Sequence, residues 1–368
     1  MNDRETARMD LLDLPQITVR GTPRQLGAAQ GSACAEAVRR FVPMRFDASM
    51  AYLGALGHGS IGPLVDVGRQ CLRVYETWDP AGFAEHCALA QAAGVDAGEL
   101  YTAANMTDVR DVLALGATGL PADAEGCSAV LIPHACTADG EVIAAQTWDL
   151  NPQDLDYVVA VHRIPVDGPQ TWSVTCTGCL SLIGLSSAGL AVGTTNIKTK
   201  GSRVGVGYMG VLHKMLGAPD FDTAARICVT APRAAAHTYW LASGAQLAEW
   251  ETTATSAVRR DATDAPMGRT NHCLQPDHSE REGEPPSSSS RARLQRLTDQ
   301  LHAHKRHDHQ TLRALFADRS DGIDSINRFA EDGQGTSTNS VVITIPGRRE
   351  LFACRGSADR GRWVRLGF

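Results

Sequence analysis

Glu125-Gly126-Cys127-Ser128-Ala129-Val130-Leu131-Ile132 is the stretch from which the rest of this chain becomes readable. A Gly-Cys pair opens directly into an apolar, strand-forming run, so a β-strand begins at its most reactive side chain. Immediately upstream, residues 116–125 are a small, flexible linker of the kind that tolerates cutting. The texture of the sequence changes across this boundary.

Before it the pattern is mostly helical. Residues 14–20 read as a short strand, Gly21-Thr22-Pro23 as the turn into a helix over 24–41, and 64–78 and 81–93 as further helices. Gly94 is a stop, and Asp96 is placed to cap a helix carrying Tyr101 to Met106. After the boundary the period is that of sheet: 128–132, 141–147, 157–164 and 171–176, with Asp139-Gly140 and Asp167-Gly168 as hairpin turns. Strands at 180–185 and 190–195 follow, separated by the Ser187-Ala188-Gly189 turn.

Helices return at 208–216 and 222–229, the second with Asp222 as its cap. A hairpin over 237–241 and 245–251 turns at Ser243-Gly244, an exposed polar loop covers 277–290, and a helix starts near Arg291. Strands 340–345 and 350–354 close the chain around Pro346-Gly347. Helices, strands, helices and strands in that succession predict an α+β fold, an antiparallel sheet system flanked by helices.

Composition narrows the function classes. With 43% hydrophobic residues in a chain of 368, a large core is available. The net charge of −6 is spread along the sequence without a basic stripe, which argues against a nucleic-acid partner. The first 15 residues lack the apolar core of a secretory signal and no apolar run is long enough for a membrane helix, so no membrane and a cytoplasmic location are expected. Ten scattered cysteines read as reduced thiols. Cys176-Thr177-Gly178-Cys179 has CxxC spacing but no second ligand pair, and reads as small buried residues beside a sheet. His302, His304, His307 and His309 sit among charges and read as a solvated helix end, not a metal site.

Cys127 gains its chemistry from its position. A cysteine nucleophile needs a base, and an internal cysteine acquires one by becoming N-terminal. Its thiol attacks the Gly126 carbonyl, the peptide shifts to a thioester, and water releases an α-amine whose pKa of about 7.7–8.0 suits proton transfer near neutrality. Glycine at 126 offers no Cβ to hinder that attack. Taken alone the dipeptide reads more readily as a buried cysteine starting a strand.

The neighbouring motifs add to it. Gly21-Thr22-Pro23 with Leu26-Gly27 and Gly31, Gly126-Cys127-Ser128, Gln146-Thr147-Trp148-Asp149, Gly189-Leu190 with Asn196, Thr270-Asn271-His272, and Ser288-Ser289-Ser290-Arg291 occur in an order and spacing similar to the acyl-CoA:isopenicillin N acyltransferase family of N-terminal-nucleophile (Ntn) cysteine hydrolases. The resemblance implies an αββα sandwich of two largely antiparallel sheets flanked by helices, and self-cleavage between Gly126 and Cys127. It makes residues 1–126 a mainly helical small subunit and 127–368 the catalytic subunit, the two forming one compact domain.

By the same resemblance Cys127 is the nucleophile, Asp149 orients the new amine and the cleavage site, and Asn271 completes the oxyanion hole. Arg291 is the arginine that binds a substrate carboxylate or supports the site, unless it is simply the first charge of a solvated helix. Thr147 and Trp148 are likewise expected to bind substrate or support the site, and Thr147 departs from the asparagine common in the family at that place. A catalytic His272 is disfavoured, because the amine takes the role of base.

The substrate expected is a small or peptide-like amide, cleaved or formed through an acyl-Cys127 thioester. No cofactor is implied, acyl-CoA is a candidate co-substrate, the cleaved N-terminal fragment is a partner, and a homo-oligomer is a further candidate. Two alternatives stay open on the residues alone: an unprocessed, catalytically silent binding protein of the same fold, and a conventional Cys127–His272 thiol protease.

Overall fold

A computed structural model describes residues 11–114, 126–283 and 287–368. The expected linker at 116–125 lies outside the described residues, as does part of the expected loop at 277–290.

The chain enters through β1 (Gln16–Gly21), and α1 (Pro23–Ala33) follows at once. Pro23 occupies the first helical turn, and the Gln25 side chain accepts from the Thr22 N–H at 2.9 Å. The single helix expected over 24–41 is two, because the chain breaks at Cys34 before α2 (Ala35–Ala55). Then come α3 (Gly62–Trp78), α4 (Pro80–Ala93), α5 (Ala97–Ala104) and α6 (Met106–Leu113). Gly94 ends α4 at φ 76°, a left-handed conformation suited to glycine, and the Asp96 carboxylate caps α5 by accepting from the Glu99 N–H at 2.9 Å.

Strand texture begins where the sequence places it, with β2 (Gly126–Ile132), β3 (Ile143–Leu150), β4 (Val158–Pro165), β5 (Thr171–Cys176), β6 (Ile183–Ser186) and β7 (Ala191–Asn196). Next are α7 (Tyr208–Leu216), α8 (Phe221–Thr230), β8 (His237–Ala242), β9 (Leu247–Thr252), β10 (Ala257–Asp261), β11 (Met267–Arg269) and α9 (Pro276–Ser279). The chain finishes with α10 (Ser288–Ala303), α11 (His309–Phe316), β12 (Ser337–Ile345), β13 (Glu350–Arg355) and β14 (Val364–Leu366). Asp220, not Asp222, caps α8, since its carboxylate accepts from the Thr223 N–H at 2.7 Å. Helix α10 starts at Ser288, ahead of Arg291, with the Ser287 hydroxyl accepting from the Ser290 N–H at 3.1 Å.

The strands form two sheets. One has eight in the order β1-β4-β5-β6-β7-β8-β9-β10, the other six in the order β11-β2-β3-β12-β13-β14. Among the described residues β1 and β4 pair in parallel and the remaining named pairs are antiparallel. Helices α1, α7 and α8 pack on the larger sheet and α10 and α11 on the smaller, while β2 meets β7 across the space between the sheets. The architecture is an αββα sandwich.

Every residue of β2 and β3 is buried, so the polar Ser128, Gln146, Thr147 and Asp149 lie in the interior beside apolar neighbours. The pleat sorts them by face. Cys127, Ala129 and Leu131 join the core between the sheets, whereas Val130 and Ile132 pack with Leu297, Leu301, Leu312 and Phe316 of the α10/α11 layer. Gln146 spans the gap between the sheets. Its amide donates to the Thr194 carbonyl, and its carbonyl accepts from the Thr194 N–H at 3.1 Å and the Trp240 indole at 2.6 Å. A buried glutamine with both ends satisfied fixes the register between sheets instead of costing stability.

All ten cysteines are thiols. Cys176 and Cys179 are buried and burial pushes both thiols up, Cys179 to about 12, so this CxxC pair is not poised for thiolate chemistry. The histidine cluster is not wholly a solvated helix end, because His307 is buried with its ring against the Leu301 carbonyl at 3.1 Å. Among the described residues no group of three or more His, Cys, Asp or Glu side chains is arranged to hold a metal ion, and no helix is long and apolar enough to cross a membrane.

Candidate active site

Register brings the first group of residues together. In the β2/β3 pair Gly126 lies opposite Asp149, Cys127 opposite Trp148, and Ser128 opposite Thr147. Trp148 therefore shares the inter-sheet face with Cys127, while Asp149 and Thr147 share the α10 side with Gly126 and Ser128. The Thr147 hydroxyl accepts from the Ser128 N–H at 3.0 Å and ties the two strands beside the cysteine.

Asn271, two residues beyond β11, reaches the same point from the neighbouring strand. Its side-chain oxygen accepts from the Cys127 N–H at 2.7 Å, and its amide donates to the Asn196 carbonyl at 3.0 Å. Its own N–H donates to the Ser290 hydroxyl at 2.9 Å, so the first turn of α10 holds it.

Two arginines complete the cluster, and the sequence did not single out either. Arg293, fully buried on α10, donates to the Cys127 carbonyl at 2.5 Å, the Ser128 hydroxyl at 3.0 Å and the Asn271 side-chain oxygen at 3.0 Å. Arg328, 4% exposed, comes from the segment leading into β12 and donates to the Thr336 hydroxyl at 2.8 Å and to the Ser289 hydroxyl. Arg291 is exposed on α10, and the structure does not bring it into this cluster. A signal for Arg293 was present: it continues the buried stripe of Leu297 and Leu301 backward at helical spacing. Arg328 has no comparable local signature.

The electrostatics follow from burial. Asp149 is 1% exposed, and neither carboxylate oxygen has a hydrogen-bond partner among the described residues. Burial raises its pKa to about 6, against the pull of the Arg328 and Arg293 guanidiniums and the nearby Thr338 and Thr147 hydroxyls, which favour the ionised form from outside bonding geometry. Burial, with repulsion from Arg328, brings Arg293 down to about 9 despite Asp149 and Cys127. His272 points elsewhere: its Nδ1 meets the Ser290 hydroxyl at 2.8 Å and the Thr270 hydroxyl at 3.3 Å. Burial and the arginines around it lower His272 to about 4, which keeps the ring neutral.

Fold and cluster together define an αββα sandwich in which a buried thiol stands at the head of a central strand, its backbone N–H and C=O gripped by Asn271 and Arg293. The chain matches no family model. Among solved structures it is similar to a Caenorhabditis elegans N-acylethanolamine-hydrolyzing acid amidase ortholog (TM-score 0.42, 11% identity, 66% of this chain and 100% of that one). It is also similar to a mutant conjugated bile acid hydrolase from Clostridium perfringens (TM-score 0.46, 9% identity, 66% and 92%) and to penicillin V acylase from Agrobacterium tumefaciens (TM-score 0.40, 12% identity, 66% and 86%).

Proposed function

We propose that this protein is a self-processing cysteine amidohydrolase or acyltransferase, which cuts its own chain before Cys127 and then cleaves or forms an amide bond of a small or peptide-like substrate through an acyl-Cys127 thioester. The observation that carries this reading is the convergence of Asn271 and Arg293 on the backbone N–H and C=O of Cys127, at 2.7 Å and 2.5 Å. Any buried strand residue needs partners for its N–H and C=O, but here side chains supply both, which suits a nitrogen that has to stay held as a free amine once the preceding bond is cut.

In the mature enzyme the Cys127 amine takes the thiol proton, and the thiolate attacks the substrate carbonyl. Asn271 has two amide hydrogens, one spent on the Asn196 carbonyl, and the other stabilises the tetrahedral oxyanion. Arg293 sets the orientation of Asn271 by donating to its side-chain oxygen. Asp149 and the two arginines form the polar floor beneath the scissile bond. His272, neutral and bound to Ser290, supports the amine rather than the imidazole as base. Water reaching the thioester gives hydrolysis and an amine gives transfer, with acyl-CoA a candidate donor.

Incubating the protein with a panel of amides and acyl-CoA thioesters, quenching in acid and measuring intact masses tests this. The expected result is an acyl adduct on the fragment beginning at Cys127, absent from Cys127→Ala. Turnover with an adduct on another residue, or turnover by Cys127→Ala, contradicts it.

A further inference from the structure

We propose that Arg328 is the positioning residue for self-cleavage, a clamp that holds Gly126 for attack; this rests on the reading of Gly126–Cys127 as a self-cleaved bond. The guanidinium lies directly over the scissile glycine. A methyl group built on Gly126 would stand 2.8 Å from the Arg328 Nη1 and 3.0 Å from its Cζ, inside ordinary contact distance. Any side chain at 126 would thus have to displace the Arg328 guanidinium, which occupies the space it would need.

That neighbour is fixed on several sides. Nη1 donates to the Thr336 hydroxyl at 2.8 Å and Nη2 to the Ser289 hydroxyl on α10. The Arg328 N–H donates to the Thr338 hydroxyl at 3.0 Å, and its carbonyl accepts from the Thr338 N–H at 3.0 Å. A planar donor held by Ser289 of α10 and by Thr336, just ahead of β12, is more firmly placed than a lysine would be. Across the strand pair stands Asp149, the register partner of Gly126, whose buried charge attracts Arg328 toward the same peptide.

The cut requires Sγ of Cys127 to form a bond to the Gly126 carbonyl carbon. The thiol proton passes to the Cys127 nitrogen, the C–N bond breaks, and a thioester remains. Water then adds, the C–S bond breaks, and Gly126 leaves as a carboxylate while Cys127 keeps both thiol and amine. Arg328 donates no atom to either step. It fixes the Gly126 Cα, and so the direction in which the carbonyl carbon faces the thiol.

A time course of fragment formation during cell-free synthesis, read by intact mass, tests this with wild type, Gly126→Ala, Arg328→Ala, Arg328→Lys and the doubles combining Gly126→Ala with each Arg328 change. Each Arg328 variant is expected to cut at least about tenfold more slowly than wild type, the loss ascribed to misplacement of a reacting group. Gly126→Ala is expected to be slower again, and Gly126→Ala/Arg328→Ala faster than Gly126→Ala alone, because the methyl then has room. That rescue reads the contact between the two side chains, and the loss in the single Arg328 variants reads the positioning. The lysine series makes the same comparison with the charge retained, so loss of folding in an alanine variant does not decide the result. Cleavage of Arg328→Ala and Arg328→Lys at the wild-type rate, or doubles that multiply the single losses, overturns the clamp while leaving self-cleavage standing. A wild type that never cuts overturns both.

Discussion

Asn271 holds three neighbours with one side chain: the Cys127 N–H at 2.7 Å, the Arg293 guanidinium at 3.0 Å and the Asn196 carbonyl at 3.0 Å. On the proposed mechanism, truncating it removes an oxyanion donor and releases the nitrogen that would act as base. Asn271→Ala is therefore expected to lower kcat about 10²–10³-fold, and His272→Ala, which breaks contacts only to Ser290 and Thr270, to cost less than about tenfold. Steady-state kinetics on an amide substrate compare them, and the reverse order would favour a thiol–imidazole pair.

Residue by residue, the sequence was informative where chemistry is rare. Gly126, Cys127, Asp149 and Asn271 stand out by residue type and order, and the structure gathers them. Arg293 shares the buried stripe of Leu297 and Leu301, but an arginine on an apolar stripe gives no sign from sequence alone that it is buried rather than solvated. With α10 beginning at Ser288, Arg293 is one turn beyond Ser289, and the two bond at 3.2 Å. Arg328 reaches the site through tertiary folding alone, which no local pattern encodes.

Among the elements, β2 and β3 make the site, and their pairing has a pH consequence. Asp149, raised to about 6 mainly by burial, is protonated below that value and charged above it. If its carboxylate holds the nascent ammonium, self-cleavage is expected to accelerate as pH rises through about 6 and then level off. Asp149→Asn is expected to be slow and to lose that inflection. Fragment formation followed across roughly pH 4–8, about two units on either side, checks this, and an unchanged profile in the variant would contradict it.

Elements with strong local signals were legible: α7 falls at 208–216, where periodicity puts it, and the Gly94 stop and Asp96 cap are as expected. Others carry weak signals. β10 is exposed and contains Arg259 and Arg260, β11 and β14 are three residues each, and none has the alternation of a half-buried strand. The parallel pairing of β1 with β4 joins segments far apart in sequence, beyond what local pattern predicts.

For the whole molecule, buried charge on the outer side of the larger sheet links the helical layer to it. Glu85 on α4 accepts from Arg163 on β4 at 2.7 Å and faces His213 of α7 at 3.4 Å. Burial alone would raise Glu85, but His213 and Arg163 outweigh it and bring it to about 2. A carboxylate lowered in the folded state stabilises above its ordinary pKa of about 4.3 and loses that contribution as pH falls toward 2. Removing one partner leaves the charge buried and poorly compensated, so Arg163→Met is expected to cost about 3 kcal/mol. Denaturant unfolding at neutral pH checks this in the Cys127→Ala background, which is expected to stay one chain. A cost under about 1 kcal/mol, the range of surface ion pairs, would contradict it.

The boundary at Gly126–Cys127 is where these features meet, since the strand register and Arg328 meet at Gly126 while Asn271 and Arg293 hold the N–H and C=O of Cys127. Intact mass and N-terminal sequencing of the purified wild-type protein test it most directly. Two chains are expected, the larger beginning Cys-Ser-Ala-Val, and a single uncut chain from Cys127→Ala. A catalytically active wild type that remains one chain of 39.3 kDa would contradict it.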